Sequence, residues 1–268
     1  MKTASRRSGL KRRLFIASTA LIGLGARAQV ADLNDAINKA GRQRMLSQRA
    51  SKAYLALVQK VETRNAQQVL DRSIALFDRQ LVELKTFAPT PTIRGTYDTL
   101  DGAWNDFKRE LTGPAPGKNE AAKVVKLDAA VLALAHQGTV QYEAASGKSV
   151  GKLVNIAGRQ RMLSQRMAKF YLASALQIDP TGSAAEIAKA RSEFVAALET
   201  LRSAPEVTTQ IKEELVLADA QWVFFNHGLQ RLEGASASPK LMSDVFVTSE
   251  NLLAIMDRIT GLYSNLKT

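Results

Sequence analysis

Along most of the chain apolar residues recur every three to five positions. Val69, Ile74, Phe77, Leu81 and Leu84 form one such run, the spacing that lines a single face of a helix. No segment alternates apolar and polar residues as a half-buried strand would. Breakers divide each half of the chain into four stretches. In the first half they fall near Thr63–Asn65, Pro89–Pro91 and Gly113–Gly117, and in the second at Asp179–Gly182, Ser203–Glu206 and Gly234–Pro239. Start signals sit where helices should begin. Thr90 and Ser238 each precede a proline, and a proline at the first helical position lacks only an N–H that has no helical partner there. Ser183 with Glu186 reads as a capping box. Four helices with short connections pack most simply as an antiparallel bundle. The pattern therefore predicts an all-α protein made of two tandem antiparallel four-helix bundles.

The tandem reading comes from a repeat. The segment AGRQRMLSQR occupies Ala40–Arg49 and returns unchanged at Ala157–Arg166, within a longer match of 15 identities in 19 positions between Asn38–Ala56 and Asn155–Ala173. Weaker matches follow in the same order. Asp101, Trp104, Phe107 and Leu111 correspond to Asp219, Trp222, Phe225 and Leu229, and Leu132, Thr139 and Tyr142 to Leu253, Thr260 and Tyr263. The offset grows slowly from 117 to 121, as a duplicated unit with small loop insertions would give. The units are set at residues 31–147 and 148–268. Ala144–Lys152, between them, holds two glycines and no proline. It reads either as a flexible linker or as one long helix entering the second unit, and the latter is favoured because a helical glycine costs only ~1 kcal/mol.

Charge bears mainly on the N-terminal segment. The net charge of +12 includes seven basic and no acidic residues within positions 1–28; the rest carries 30 basic and 25 acidic residues. That balance gives no reason to expect a nucleic-acid partner. Residues 1–28 read as a cleaved signal peptide: a basic start, an apolar run from Leu14 to Gly25, and Ala26-Arg27-Ala28 before Gln29. The run is shorter than the ~20 residues that span a bilayer. Ser5–Lys11 is similar to a twin-arginine signal, with Gly9 where phenylalanine is usual, so either the general or the twin-arginine export route is open. The expected destination is the periplasm. With no cysteine in the chain, packing must hold the fold without disulfides.

The repeated segment departs from an ordinary bundle helix. On a helical wheel Leu46, Ala50, Ala53 and Leu57 form a core stripe. Opposite them lie Ile37, Gly41, Arg44, Gln48, Ser51 and Leu55, with Arg42, Met45 and Arg49 on a third line. A glycine lets a neighbouring backbone come close. If the helices cross near Gly41 and Gly158, Arg44 and Arg161 meet one turn further on. Two guanidinium groups repel unless something negative lies between them. Guanidinium presents a planar fork of donors suited to oxyanions and carboxylates, and two convergent arginines with amide donors could supply the ~8 kcal/mol of micromolar binding. The competing reading is that each arginine is buried against its own carboxylate. Arg42 and Arg49 point elsewhere and read first as structural residues. Trp104, Trp222, Phe107 and Phe225 read as core.

The residues Asn38–Arg49 and Asn155–Arg166 resemble the signature of the sensor domain of type IV pili methyl-accepting chemotaxis transducers, the PilJ type. They are also similar to the N-x-A-G-x-x-R-M-x-S-x-R box of nitrate/nitrite sensor histidine kinases. The resemblance implies a periplasmic four-helix bundle whose box helices meet at an interface and hold the anion between them. Carried over residue by residue, the anion-contacting positions are Gly41, Arg44, Gly158 and Arg161. Gln48 and Gln165 share their line, and Asn38, Arg49, Asn155 and Arg166 are secondary candidates from the same box. Two boxes in one polypeptide could pair internally or with another chain, giving a homodimer.

His136 and His227 are the only histidines, and they align with Asp257 and Arg109. Neither recurs, which argues against a duplicated metal or catalytic site, and no hydrolase, zinc or phosphate-loop motif is present. No catalytic residue, metal or cofactor is expected. The sequence thus points to a small-anion binding or sensing module, with nitrate or nitrite named, acting through a separate signalling or transport protein. The alternative is a helical scaffold or interaction protein without a small ligand.

Overall fold

The computed structural model describes residues 29–113, 116–231 and 237–266; the proposed signal peptide and parts of two connecting loops lie outside them. The described residues form eight α-helices and no strand: α1 (Leu33–Val58), α2 (Thr63–Phe87), α3 (Pro91–Leu111), α4 (Lys118–Ser146), α5 (Ser149–Ala175), α6 (Pro180–Ser203), α7 (Thr209–Gln230) and α8 (Pro239–Ser264). Among them no helix is long and apolar enough to cross a membrane.

The helix ends follow local chemistry. Thr90 and Ser238 accept from the backbone N–H of Ile93 and Leu241, with proline next in the chain. Thr208 caps α7 in the same way. The capping box expected at Ser183 is not used. α6 starts one turn earlier, because the Asp179 side chain accepts from Gly182 N–H while Ser183 donates its hydroxyl to the Ile178 carbonyl. The α1–α2 and α5–α6 turns are built alike, from left-handed non-glycine residues at equivalent positions: Lys60 and Glu62, Gln177 and Asp179.

Helices α1–α4 close one antiparallel bundle and α5–α8 the other. Their cores repeat. Phe77 stacks on Trp104 at 3.7 Å between ring centroids, and Phe194 on Trp222 at 4.6 Å. The Tyr142 hydroxyl donates to the Leu84 carbonyl and that of Tyr263 to Leu201, each at 2.7 Å. These bonds tie the last helix of each bundle to its second. Buried tyrosines generally find such a partner.

The junction differs from the favoured reading of one continuous helix. α4 stops at Ser146, Gly147 takes the left-handed conformation at φ 61°, Lys148 is extended, and α5 begins at Ser149. Glycine adopts that conformation without the steric cost other residues meet, and it is the usual helix terminator for that reason. The chain then doubles back. Asn155 donates to the Glu143 carboxylate and Lys169 to Asp128, so α5 runs antiparallel along α4. A side chain on Gly151 would meet Ser146 Oγ at 3.0 Å and Ile37 Cδ1 at 3.1 Å, so a larger residue there would require both side chains to give way. The reversal lays α5 beside α1 in the same direction, and the two repeated segments form the contact between the bundles.

Candidate functional site

Packed by α2, α4 and α5 and touched by α8, helix α1 has almost no solvated face. From Ala36 to Ala56 every residue except Arg42 and Arg49 is buried. The second stripe on the wheel, Gly41, Arg44, Gln48, Ser51 and Leu55, is therefore an interior surface.

At the crossing the two glycines are apposed. A methyl group on Gly41 would lie 3.8 Å from Gly158 Cα, 3.1 Å from Arg44 Nη2 and 3.5 Å from Arg161 Nη2. From Gly158 the same guanidinium atoms lie at 3.7 and 3.1 Å. Both guanidinium groups thus lie over the paired glycines, each reaching across to the opposite helix. Arg44 Nη2 donates to Asn155 Oδ1 at 2.7 Å and to the Asn155 carbonyl at 3.3 Å. Arg161 donates to Asn38 Oδ1 through Nη1 and to the Asn38 carbonyl through Nη2, both at 2.9 Å. The two helices exchange these bonds reciprocally, as partners related by a two-fold axis would.

The symmetry fails in the carboxylates around the crossing: Asn155 also donates to Glu143, and Arg159 pairs with Glu193 where Arg42 pairs with Asp257. Arg161 Nη1 also donates to Asp257 Oδ1 at 2.6 Å, and Arg42 joins the same oxygen at 2.9 Å. Burial pushes the Asp257 carboxyl up, but Arg161 and Arg42 outweigh it and hold the group at about 2. The equivalent partner of Arg44 is His136, whose Nδ1 lies 3.2 Å from Arg44 Nη1. Arginine has only donors, so Nδ1 accepts and the imidazole proton sits on Nε2. Burial, then Arg44 and Arg159, lower the His136 pKa and keep the ring neutral. Among the described residues no carboxylate pairs with Arg44, which is fully buried and has an unpartnered Nε. Burial, reinforced by Arg159 and Arg161, pulls its pKa down to about 9, so it still carries its charge at neutral pH.

The other candidates divide. Asn38 and Asn155 join the arginine cluster. Gln48 donates to Asp128 Oδ1 at 2.5 Å and Gln165 to the Ser249 carbonyl at 2.9 Å, so both amides are engaged further along the helices. Arg49 pairs with Glu250 and Arg166 with Glu186; Arg49 is thus part of the structural frame, as is Arg42 on Asp257. Two lysines of the repeat, absent from the candidates, prove to be buried. Lys52 donates to Glu250 at 2.6 Å and Ser249 at 2.9 Å, and Lys169 to Asp128 at 2.6 Å. Each crosses from its own unit into the other. Such pairs do more to fix register than to add net stability.

Beside Arg44 a pocket of about 280 Å³ opens between α4, α5 and α6, with His136 and Arg159 also in its lining. Neither residue stands among the sequence candidates. The available signal was the misfit of His136 against Asp257 in an otherwise matching repeat. Among the described residues no group of three or more His, Asp or Glu is arranged to hold a metal.

The fold and the crossed boxes define an all-helical module of two like four-helix units that meet through their repeated segments. The family model described as the type IV pili methyl-accepting chemotaxis transducer N-terminal domain, PilJ, matches residues 28–131 and 142–223. The chain belongs to this family, in two tandem copies. No curated protein and no solved structure matches it significantly.

Proposed function

We propose that this protein is an exported, periplasmic sensory module that responds to a small anion and reports to a separate signalling partner. Residues 1–28 would be removed on export, leaving units 31–147 and 148–268. The observation that carries the reading is Arg44: a fully buried cation without a carboxylate, set among Arg159 and Arg161. A bound anion would offset a charge that, among the described residues, has no direct carboxylate partner and is met only through Asn155 by Glu143. Nitrate and nitrite are the first candidates, through the resemblance of the box.

The test is thermal unfolding of the mature chain in nitrate, nitrite, sulfate and chloride at matched ionic strength. A ligand of the native state raises the midpoint by mass action. The expected result is a rise selective for one anion, absent in Arg44→Gln. Identical midpoints in all four salts would remove nitrate, nitrite, sulfate and chloride as its ligands.

A second reading, a protein-interaction module without a small ligand, is favoured by the face of α7. Val216, Leu217, Val223 and Phe224 are 50–66% exposed there, whereas the equivalent positions on α3 are the exposed Asp98, Thr99, Asn105 and Asp106. Exposed apolar clusters mark contact surfaces more often than polar ones do.

A further inference from the structure

Resting on the anion-sensing proposal, a narrower statement follows about which half of the chain binds, and what. The two halves of the box crossing are not equivalent as sites. On the α8 side the place of an anion is filled by the chain itself, because Asp257 sits on Arg161 at 2.6 Å and on Arg42 at 2.9 Å. On the α4 side that place is held by the His136 imidazole, which brings no negative charge, and the pocket opens beside it. We infer that the chain has one ligand site, the pocket beside Arg44 between α4, α5 and α6, and that its ligand is a small organic monocarboxylate with a short apolar body.

Three observations support this. The first is charge. Of the two acids in the lining, Glu193 is taken by Arg159 and Glu186 by Arg166, while Arg44 and Lys189 have no carboxylate partner among the described residues. The second is donor geometry. His136 uses Nδ1 on Arg44 and is itself exposed, so its Nε2–H is available to a ligand. A carboxylate head accepts from that N–H and from Arg159, with the buried guanidinium behind the imidazole adding attraction. The third is size and wall chemistry. A volume of 280 Å³ is about nine times the ~30 Å³ share of one water and near the lower end of small-molecule pockets, ~300 Å³. A planar inorganic oxyanion would leave most of it unfilled. Leu132, Ala133, Met162 and Leu163 give it an apolar wall, which an alkyl group covers and nitrate does not.

The experiment measures thermal midpoints of the full mature chain with acetate, butyrate, nitrate and neutral butyramide at matched ionic strength. The proteins are wild type and Ala133→Phe, which fills the pocket from an exposed position and leaves the box arginines intact. Butyrate should raise the midpoint by about 3–5 °C at ten times its dissociation constant. Acetate should need a higher concentration, butyramide should have no effect, and Ala133→Phe should abolish the butyrate response. Equal shifts from nitrate and butyrate, unchanged in Ala133→Phe, would overturn the organic-acid inference while leaving anion sensing in place. A butyramide shift matching that of butyrate would also overturn it. No shift with any anion would overturn both.

Discussion

Two arginines in identical ten-residue contexts have different fates. Arg161 and Arg44 lie over the same pair of glycines and donate the same bonds to the opposite helix's asparagine. One is completed by Asp257, the other rests against a neutral imidazole. The difference arises outside the repeated segment, most directly at the aligned position occupied by His136 in one unit and Asp257 in the other. A duplicated box supplies a symmetric frame, and a change on the last helix of each bundle decides which half is self-neutralised. Duplication can thus yield one self-neutralised copy and one without a direct carboxylate, the box itself unaltered.

The contrast can be broken most severely at Asp257. Replacing it by alanine leaves Arg161 buried without a carboxylate. Breaking a fully buried pair costs ~3–5 kcal/mol; with the Asp257 side chain 43% exposed, the expected loss is about 2 kcal/mol, read from the urea midpoint at neutral pH. An unchanged midpoint would mean that Arg161 is held by Asn38 alone. Making the first half like the second is the converse. His136→Asp gives Arg44 the carboxylate it lacks and should raise stability by about 1 kcal/mol in the same assay, since a charge-assisted bond contributes ~1.5–3 kcal/mol before desolvation of the new carboxylate. It should also remove any anion-dependent rise in thermal midpoint. A loss of stability, or an anion response that persists, would refute the equivalence of the two positions.

The smallest effect is on pH dependence. His136 faces Arg44 and Arg159, with Glu143 and Glu193 opposing them more weakly, and its pKa in the folded state lies below the usual 6.5. The unfolded chain therefore binds this proton first as pH falls. The stability associated with the neutral ring is complete above about 6.5 and declines as pH drops toward the lower folded value. Urea midpoints between pH 7.5 and 5 should fall by more in the wild type than in His136→Gln. Asp257 acts in a lower window: its folded pKa is about 2, so its contribution is lost only as pH falls from about 4 toward 2. Equal slopes in wild type and His136→Gln would show that His136 is free of the guanidinium.

The sequence carried the architecture further than the site. Helical spacing and the proline-flanked caps at Thr90 and Ser238 were enough to place four helices per unit, and the wheel put Gly41 and Arg44 on the line that meets Gly158 and Arg161. The Gly147 reversal was ambiguous, because the cost of a glycine inside a helix is small and only packing of α5 along α4 decides against continuity. The turns at Lys60–Glu62 and Gln177–Asp179 carry no glycine, so their left-handed residues had no local signal. Lys52 and Lys169 are not among the sequence candidates, and lysine is rarely buried. Their partners Glu250 and Asp128 lie far along the chain, and only their retention in both copies hinted otherwise. His136 was set aside because it does not recur, and the same fact, seen beside Arg44, marks the asymmetry.

The hairpin at Gly147–Lys148 has a consequence for how such a module responds. Receptors that form their input site between separate subunits depend on assembly, and their occupancy varies with protein abundance. Here the partner helix is tethered by a two-residue turn, at an effective concentration of order millimolar or above. Dilution should leave the crossing intact, because the two box helices belong to one polypeptide.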